Sequence, residues 1–412
     1  MPAAKLLPPV LTSACAMTGL LAFGALGAEG TPVGSRWEIG EPIATYWAGP
    51  PMTEATARQM AAGGWNLVWC SADELDTAHR FGLRALLQDG LISPQSLDDP
   101  SRRRELDALI ARVRNHPALY AYFIVDEPNA SAFPVLGRLV SHLRRRDPAH
   151  MAYINLFPTY ASNEQLGTQG DTVTAYAEHL RQYMEVVRPG LISYDHYHFT
   201  SQGDSGQYFL NLGMIRQKAL DCGVPFLNIV QACTWTPAMR VPTPDELTWL
   251  VYTSLAYGAQ GISYFVYWYS GVEGAMARAD GATTPLYDRA SRLNREFVAI
   301  ARELQPLRSL GAYHLGETPL GAEPLPPDAP VSVRSPIPAG GLVIGLFGRE
   351  GHATHAMVVN RDYRQSANVT LTAPSRTEIY DCAAGAWRSS FGGHWAPLEL
   401  PPGGGALVRW GR

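Results

Sequence analysis

The chain has 412 residues, of which 46% are apolar and only 17% charged. That length and composition suit one large α/β barrel with a small appended domain and exclude bulk disorder. The 33 basic and 37 acidic residues leave a net charge of -4, which argues against a nucleic-acid binder. Only two of the basic residues are lysines, Lys5 and Lys218. Imine chemistry or a phosphate-loop lysine would have to use Lys218, which lies on what reads as an exposed helix face.

Residues 1–28 read as a signal peptide. Lys5 supplies the positive charge, Ala14–Leu26 the apolar stretch, and Ala25, Gly27 and Ala28 the small residues before a cut at Glu29. Export to the periplasm or the extracellular space is therefore expected. No later segment is long and apolar enough to span a membrane. The five cysteines form no CxxC pair, so a zinc knuckle is not expected, and buried free thiols are favoured over a disulfide.

From about residue 40 strands and helices alternate. Strands are expected at Ile43–Ala48, Asn66–Ser71, Leu83–Gln88, Leu119–Val125, Met151–Phe157, Leu191–His198, Phe226–Ala232 and Gly261–Trp268. Each is apolar, β-branched or aromatic. Helices between them carry start and stop signals: Thr53-Glu54 opens one that ends near Gly63-Gly64, and Asp73-Glu74 opens one closed by Gly82. Ser101–Asn115 places Leu106, Leu109, Ile110 and Val113 at helical spacing. Eight such units predict a (β/α)₈ barrel over residues 29–310. No GxGxxG follows the first strand, as a doubly wound dinucleotide fold would require.

After Leu310 the helix pattern stops. Short strand-like runs at Leu342–Phe347, His355–Asn360, Asn368–Thr372, Glu378–Asp381 and Ala406–Trp410 are separated by turn residues. They predict a small all-β sandwich over residues 311–412.

Active sites of such barrels lie at the carboxyl ends of the strands. Those ends offer Trp47, Gln88, Asp126-Glu127-Pro128, Asn155, Asp195-His196-Tyr197, Gln231 and Tyr267-Trp268. No GxSxG elbow, phosphate loop or HExxH occurs, and neither a cofactor nor a metal is expected. The sharpest signal is an apolar strand, Tyr120–Val125, ending in two carboxylates. Buried strand ends do not carry charge without a reason. Alternation places Ala121, Phe123, Val125 and Glu127 on one face and Tyr122, Ile124 and Asp126 on the other. Pro128 is expected to keep Glu127 extended.

Glycoside hydrolysis needs two carboxyl groups, one protonated and one ionised. Glu127 is the expected general acid/base and Asp195 its expected partner. Asp126 is the alternative, because an adjacent Asp-Glu pair suits substrate-assisted cleavage. Trp47, Gln88, Asn155, His196, Tyr197, Gln231, Tyr267 and Trp268 are the candidate sugar-binding residues. Asp195 and His196 point to opposite faces of a strand, which disfavours a shared metal ion.

At Asp126-Glu127-Pro128 the sequence resembles the superfamily of (β/α)₈ glycoside hydrolases. In their retaining clan the acid/base Glu ends strand four, usually after Asn and often before Pro; here Asp126 replaces the Asn. Tyr267-Trp268 resembles the clan's strand-eight Trp beneath the sugar ring. The tail, Ala356–Tyr363 and Leu400–Gly404, is similar to the β-sandwich that follows many such barrels. The resemblance implies a glycosidase acting on a carbohydrate, which the leader would export. It also implies a nucleophilic Glu at the end of strand seven, where this sequence has Gln231. Three explanations stay open: another nucleophile (Asp195 or Asp126), a different mechanism, or a barrel that binds carbohydrate without cleaving it. A metal-dependent hydrolase is the remaining alternative.

Overall fold

A computed structural model describes residues 37–411, apart from Ser335 and Phe391. The expected signal peptide lies outside the described residues. All eight expected strands form: β1 (Ile43–Trp47), β2 (Leu67–Cys70), β3 (Arg84–Leu87), β4 (Leu119–Asp126), β5 (Met151–Leu156), β6 (Ile192–His196), β7 (Phe226–Gln231) and β8 (Gly261–Phe265). They make one parallel sheet in the order β1-β8-β7-β6-β5-β4-β3-β2. Side chains close the remaining seam between β1 and β2. Asn66 Oδ1 accepts from the Ala44 N–H at 3.0 Å, Thr45 Oγ1 donates to Leu67 O at 2.8 Å, and Trp69 Nε1 donates to Tyr46 O at 2.7 Å.

Eight principal helices cover the sheet: α1 (Glu54–Ala62), α2 (Leu75–Arg80), α3 (Pro100–Val113), α4 (Phe133–Arg146), α5 (Thr172–Gln182), α6 (Tyr208–Cys222), α7 (Pro244–Ala256) and α8 (Pro285–Leu304). Their starts follow local chemistry. Thr53 caps α1 through its side chain, Asp99 caps α3, and Thr243 with Glu246 forms a capping box on α7. The inward face of the barrel is apolar: Ile43, Leu67, Leu86, Ala121, Tyr153, Leu227 and Ile229 fill it. Tyr122, Ile154, Tyr194, Val230 and Tyr264 face outward into the core shared with the helices.

Antiparallel strands follow: β9 (Arg308–Leu315), β10 (Leu342–Arg349), β11 (His352–Asn360), β12 (Ala367–Thr372), β13 (Thr377–Asp381), β14 (Ala386–Ser389), β15 (Trp395–Leu400) and β16 (Gly405–Trp410). The sheet containing β9-β10-β11-β16-β13-β14 packs on the smaller one formed by Ser332–Val333, β12 and β15. The fold class is therefore a (β/α)₈ barrel followed by a β-sandwich. The larger sheet buries both faces. Leu342, Ile344 and Leu346 face the sandwich core, while Val343, Phe347, Met357 and Val359 join the barrel's outer core. The strand β10 packs on α7 so closely that the two backbones almost touch at Gly345 and Ala256. Cys70, Cys222, Cys233 and Cys382 are free thiols.

Candidate active site

The carboxyl end of β4 departs from simple alternation. Its register against β5 shifts between Phe123 and Val125, so Phe123 pairs with Tyr153 but Val125 pairs with Ile154. A bulged residue of this kind reverses the phase of the pleat. Asp126 now pairs with Asn155, on the inward face with Phe123, and Val125 turns outward with Ile154. The expected faces for Val125 and Asp126 are thus corrected. The expected extended backbone at Glu127 is corrected too: its φ is +43°. Pro128 disfavours the right-handed helical region, and Glu127 meets that restriction in the left-handed region instead. The bend lets two adjacent carboxylates share one site. The Glu127 N–H is fixed by Asn155 O at 2.9 Å.

Asn155 ties this end to β6. Its Nδ2 donates to Asp126 Oδ1 at 3.0 Å and to Asp195 Oδ1 at 2.8 Å. Its own Oδ1 accepts from Ser193 Oγ at 2.9 Å, and Ser193 in turn meets the Tyr153 hydroxyl at 2.8 Å. Asp195 is 1% exposed. Its Oδ2 is buried without a well-formed hydrogen bond, and the Glu127 carboxyl is the group placed to offer it a proton. Glu127 is half-buried, and Asp126 is exposed.

Burial and neighbouring carboxylate charge raise the proton affinity of Glu127 and of Asp195. Burial pushes Glu127 well above the usual carboxylate range, and the charges of Asp195 and then Asp126 push it further. Burial, then the Asp126 charge, raises Asp195 against the opposing donation from Asn155. Asp126 is raised by the protein around it, opposed by Asn155 and the Glu127 N–H; its open contact with water weakens that effect.

Aromatic rings wall the mouth. Trp47 packs on Trp69 with centroids 5.0 Å apart and on Phe123 at 5.6 Å. Tyr197 packs on Trp235 at 4.6 Å and on Phe265 at 5.0 Å. Trp47, Trp235 and Phe265 gather around the same small apolar cluster. The Tyr160 hydroxyl accepts from the Tyr197 N–H at 3.3 Å, and it feels the charges of Asp195 and Glu127. Gln88 follows β3 at the mouth and is exposed.

Three expected sugar-binding residues, His196, Tyr267 and Gln231, have their polar groups engaged elsewhere. His196 faces the helices, with Nδ1 on Asn211 and Nε2 on Ser205, both at 3.0 Å. Tyr267 is buried against Trp65 and bonds Gln59. Trp268 is half-buried against the core between strands and helices. Gln231 spends its whole amide on backbone: Nε2 donates to Phe199 O at 2.9 Å and Arg240 O at 2.7 Å, and Oε1 accepts from the Phe199 N–H at 2.9 Å. It staples the loops after β6 and β7 together. Tyr160, Trp235 and Phe265 were not among the expected site residues. Among the described residues no group of three or more His, Cys, Asp or Glu has the arrangement of a metal site.

No protein-family model and no curated protein matches the sequence. Solved structures do match its fold. A glycoside hydrolase family 5 protein from Bacteroides vulgatus ATCC 8482 superposes with a TM-score of 0.52 at 9% identity, over 86% of this chain and 84% of that one. A structure described as a glycoside hydrolase gives 0.51 at 12% identity, over 86% and 87%. The chain shares its overall fold with these two glycoside hydrolases.

Proposed function

We propose that the chain is a glycoside hydrolase with Glu127 as its general acid. The observation that carries the reading is the partly buried Glu127 carboxyl beside Asp195 and Asp126: burial first, then their charges, favours its protonated form. A general acid needs a proton at working pH and access to the leaving oxygen. Glu127 gives that proton to the glycosidic oxygen as the C1–O bond breaks; the one proton that water sheds on adding to C1 returns to Glu127, by way of Asp126 and solvent where Asp126 is the base, or directly where an acetamido group has attacked first.

The second carboxylate is Asp126 rather than Asp195. The difference in exposure favours Asp126. Asp126 is open to solvent, whereas Asp195 is shut in behind Glu127 and Asn155. Asp126 then takes the proton of the attacking water, or orients an acetamido group where the sugar carries one. Asp195 holds and tunes Glu127. Trp47, Tyr197 and Trp235 supply apolar faces for the sugar, and Gln88 a polar contact at the rim. A carbohydrate is the partner, and export remains part of the proposal. Among the described residues no helix is long and apolar enough to cross a membrane.

The test is turnover on a broad panel of aryl glycosides and oligosaccharides by the full chain and by Glu127→Gln. Loss of about 10²–10⁴ in kcat, with the fold retained by circular dichroism, is expected for loss of the general acid. Near-normal turnover in the variant would sink the assignment. Sugar binding by calorimetry without any product from the unaltered chain identifies a binding barrel instead, a reading favoured by the structural engagement of Gln231. Elemental analysis of active protein tests the metal-dependent alternative.

A further inference from the structure

Among the described residues the site gathers three carboxyl groups and no cation paired with them. None of the ion pairs among the described residues involves Asp126, Glu127 or Asp195. Asp126 and Asp195 share the neutral amide of Asn155 as a polar partner. The walls are equally uncharged, built from Trp47, Phe123, Tyr153, Tyr197, Trp235 and Phe265. Arg240, whose backbone carbonyl receives Gln231, has its guanidinium committed to Glu246 through bonds of 2.7 and 2.6 Å.

From this arrangement we infer that the site selects its glycan by charge: it accepts a neutral or amino sugar at the bond being cleaved and turns away uronates and sulfated sugars. The inference rests on the glycosidase reading above. Anionic sugars are ordinarily held by guanidinium or ammonium groups in bidentate or point contacts, and among the described residues none is ion-paired with these carboxylates. The three carboxyls cannot all be neutral at pH 7. Asp126, open to water, is the one that ionises most readily, so a sugar carboxylate would enter a negative field. At about 6 Å and an effective dielectric of about 20, one such pair lowers kcat/KM roughly 100-fold. An ammonium on the sugar meets attraction in the same place.

The experiment compares matched aryl glycosides that differ only at C6 or C2. The 4-nitrophenyl glucoside, galactoside and mannoside are set against the corresponding uronides, with the glucosaminide added, on the full chain at pH 7. Calorimetry on Glu127→Gln with a neutral oligosaccharide and its C6-oxidised form gives a second readout. The expected result is a neutral-to-uronide ratio on the order of 100 in kcat/KM, with the glucosaminide no worse than the glucoside. Equal or better use of a uronide overturns the inference and leaves the glycosidase reading standing. Failure to bind or cleave any member of either set overturns both.

Discussion

The Nδ2 of Asn155 donates to Asp195 Oδ1 at 2.8 Å, and this bond holds the buried carboxylate in place. The same nitrogen reaches Asp126 at 3.0 Å, so one amide fixes two acids. Ser193 sets the orientation of that amide by donating to its oxygen. Asn155→Ala leaves Asp195, 1% exposed, without its principal donor. Leaving a buried carboxyl group unsatisfied costs about 1–3 kcal/mol, read as a lower midpoint in urea. Asn155→Asp places a further acid beside two others, so its loss is greater at pH 7 than at pH 4. An Asn155→Ala protein as stable as the original would show that the bond holds nothing.

The pH dependence has a definite sign. Glu127 is raised by burial first, then by the charges of Asp195 and Asp126. A general acid works only while protonated, so kcat/KM falls as pH rises through that elevated value. Asp195→Asn removes one of the two charges, and the basic limb of the pH–rate profile moves to lower pH. Stability follows the same groups. Carboxyls whose folded pKa lies above the unfolded value of about 4 contribute stability that is complete below that value. The contribution is lost as pH rises through the folded value. Thermal melts of the unaltered chain therefore fall across that window, and Asp195→Asn flattens the fall. A basic limb that stays in place in Asp195→Asn would separate Asp195 from Glu127.

Gln231 stands where the resemblance implies a catalytic Glu, which suggests a simple restoration by Gln231→Glu. The structure argues against any gain. The amide donates to Phe199 O and Arg240 O, and a carboxylate there would face two carbonyl oxygens with no proton to offer. Two lost bonds in a buried place, with a charge added, cost about 3 kcal/mol or more. Gln231→Glu is expected to melt lower, increasingly so at high pH, and to show no new turnover. Activity gained on any glycoside at unchanged stability would overturn the structural role given to Gln231.

Much of this architecture was legible from periodicity. The eight strand–helix units announce themselves because buried parallel strands are continuous apolar runs and their helices carry caps. Asp126, Glu127, Asn155 and Asp195 were visible as polar residues at strand ends. Their mutual geometry was not. Phe123-Ile124-Val125 contains no sign of a bulge, yet that bulge moves Asp126 to the inward face. The left-handed turn at Glu127 is equally silent. Alternation from Asp195 already put His196 on the opposite face, where its bond to Asn211 keeps it. Trp235 and Tyr160 lie in loops, where no periodicity points inward, and Phe265 is hidden among the apolar residues of β8. The role of Gln231 depends on two loop carbonyls that meet it only in the folded chain.

The contact between barrel and sandwich yields the last prediction. Gly345 lies mid-strand in β10, paired with Ala312 and Met357. A Cβ at this position would sit 2.0 Å from Ala256 O at the end of α7. Backbone cannot yield that much without separating the sheet from the helix. Gly345→Ala therefore removes the fit that lets Val343 and Phe347 join the barrel's outer core. Overpacking at a tight site costs about 1–3 kcal/mol, and more where backbone blocks relief. Calorimetric melting is expected to show a lower midpoint and, if the two parts come apart, two transitions in place of one. Gly351, with open space around its position, is unsuitable as a control because its φ of +79° favours glycine. Gly206, with open space and no such constraint, serves instead: Gly206→Ala should melt within about 0.5 kcal/mol of the original. Equal melting of Gly345→Ala and Gly206→Ala would mean that the close approach does not hold the two parts together.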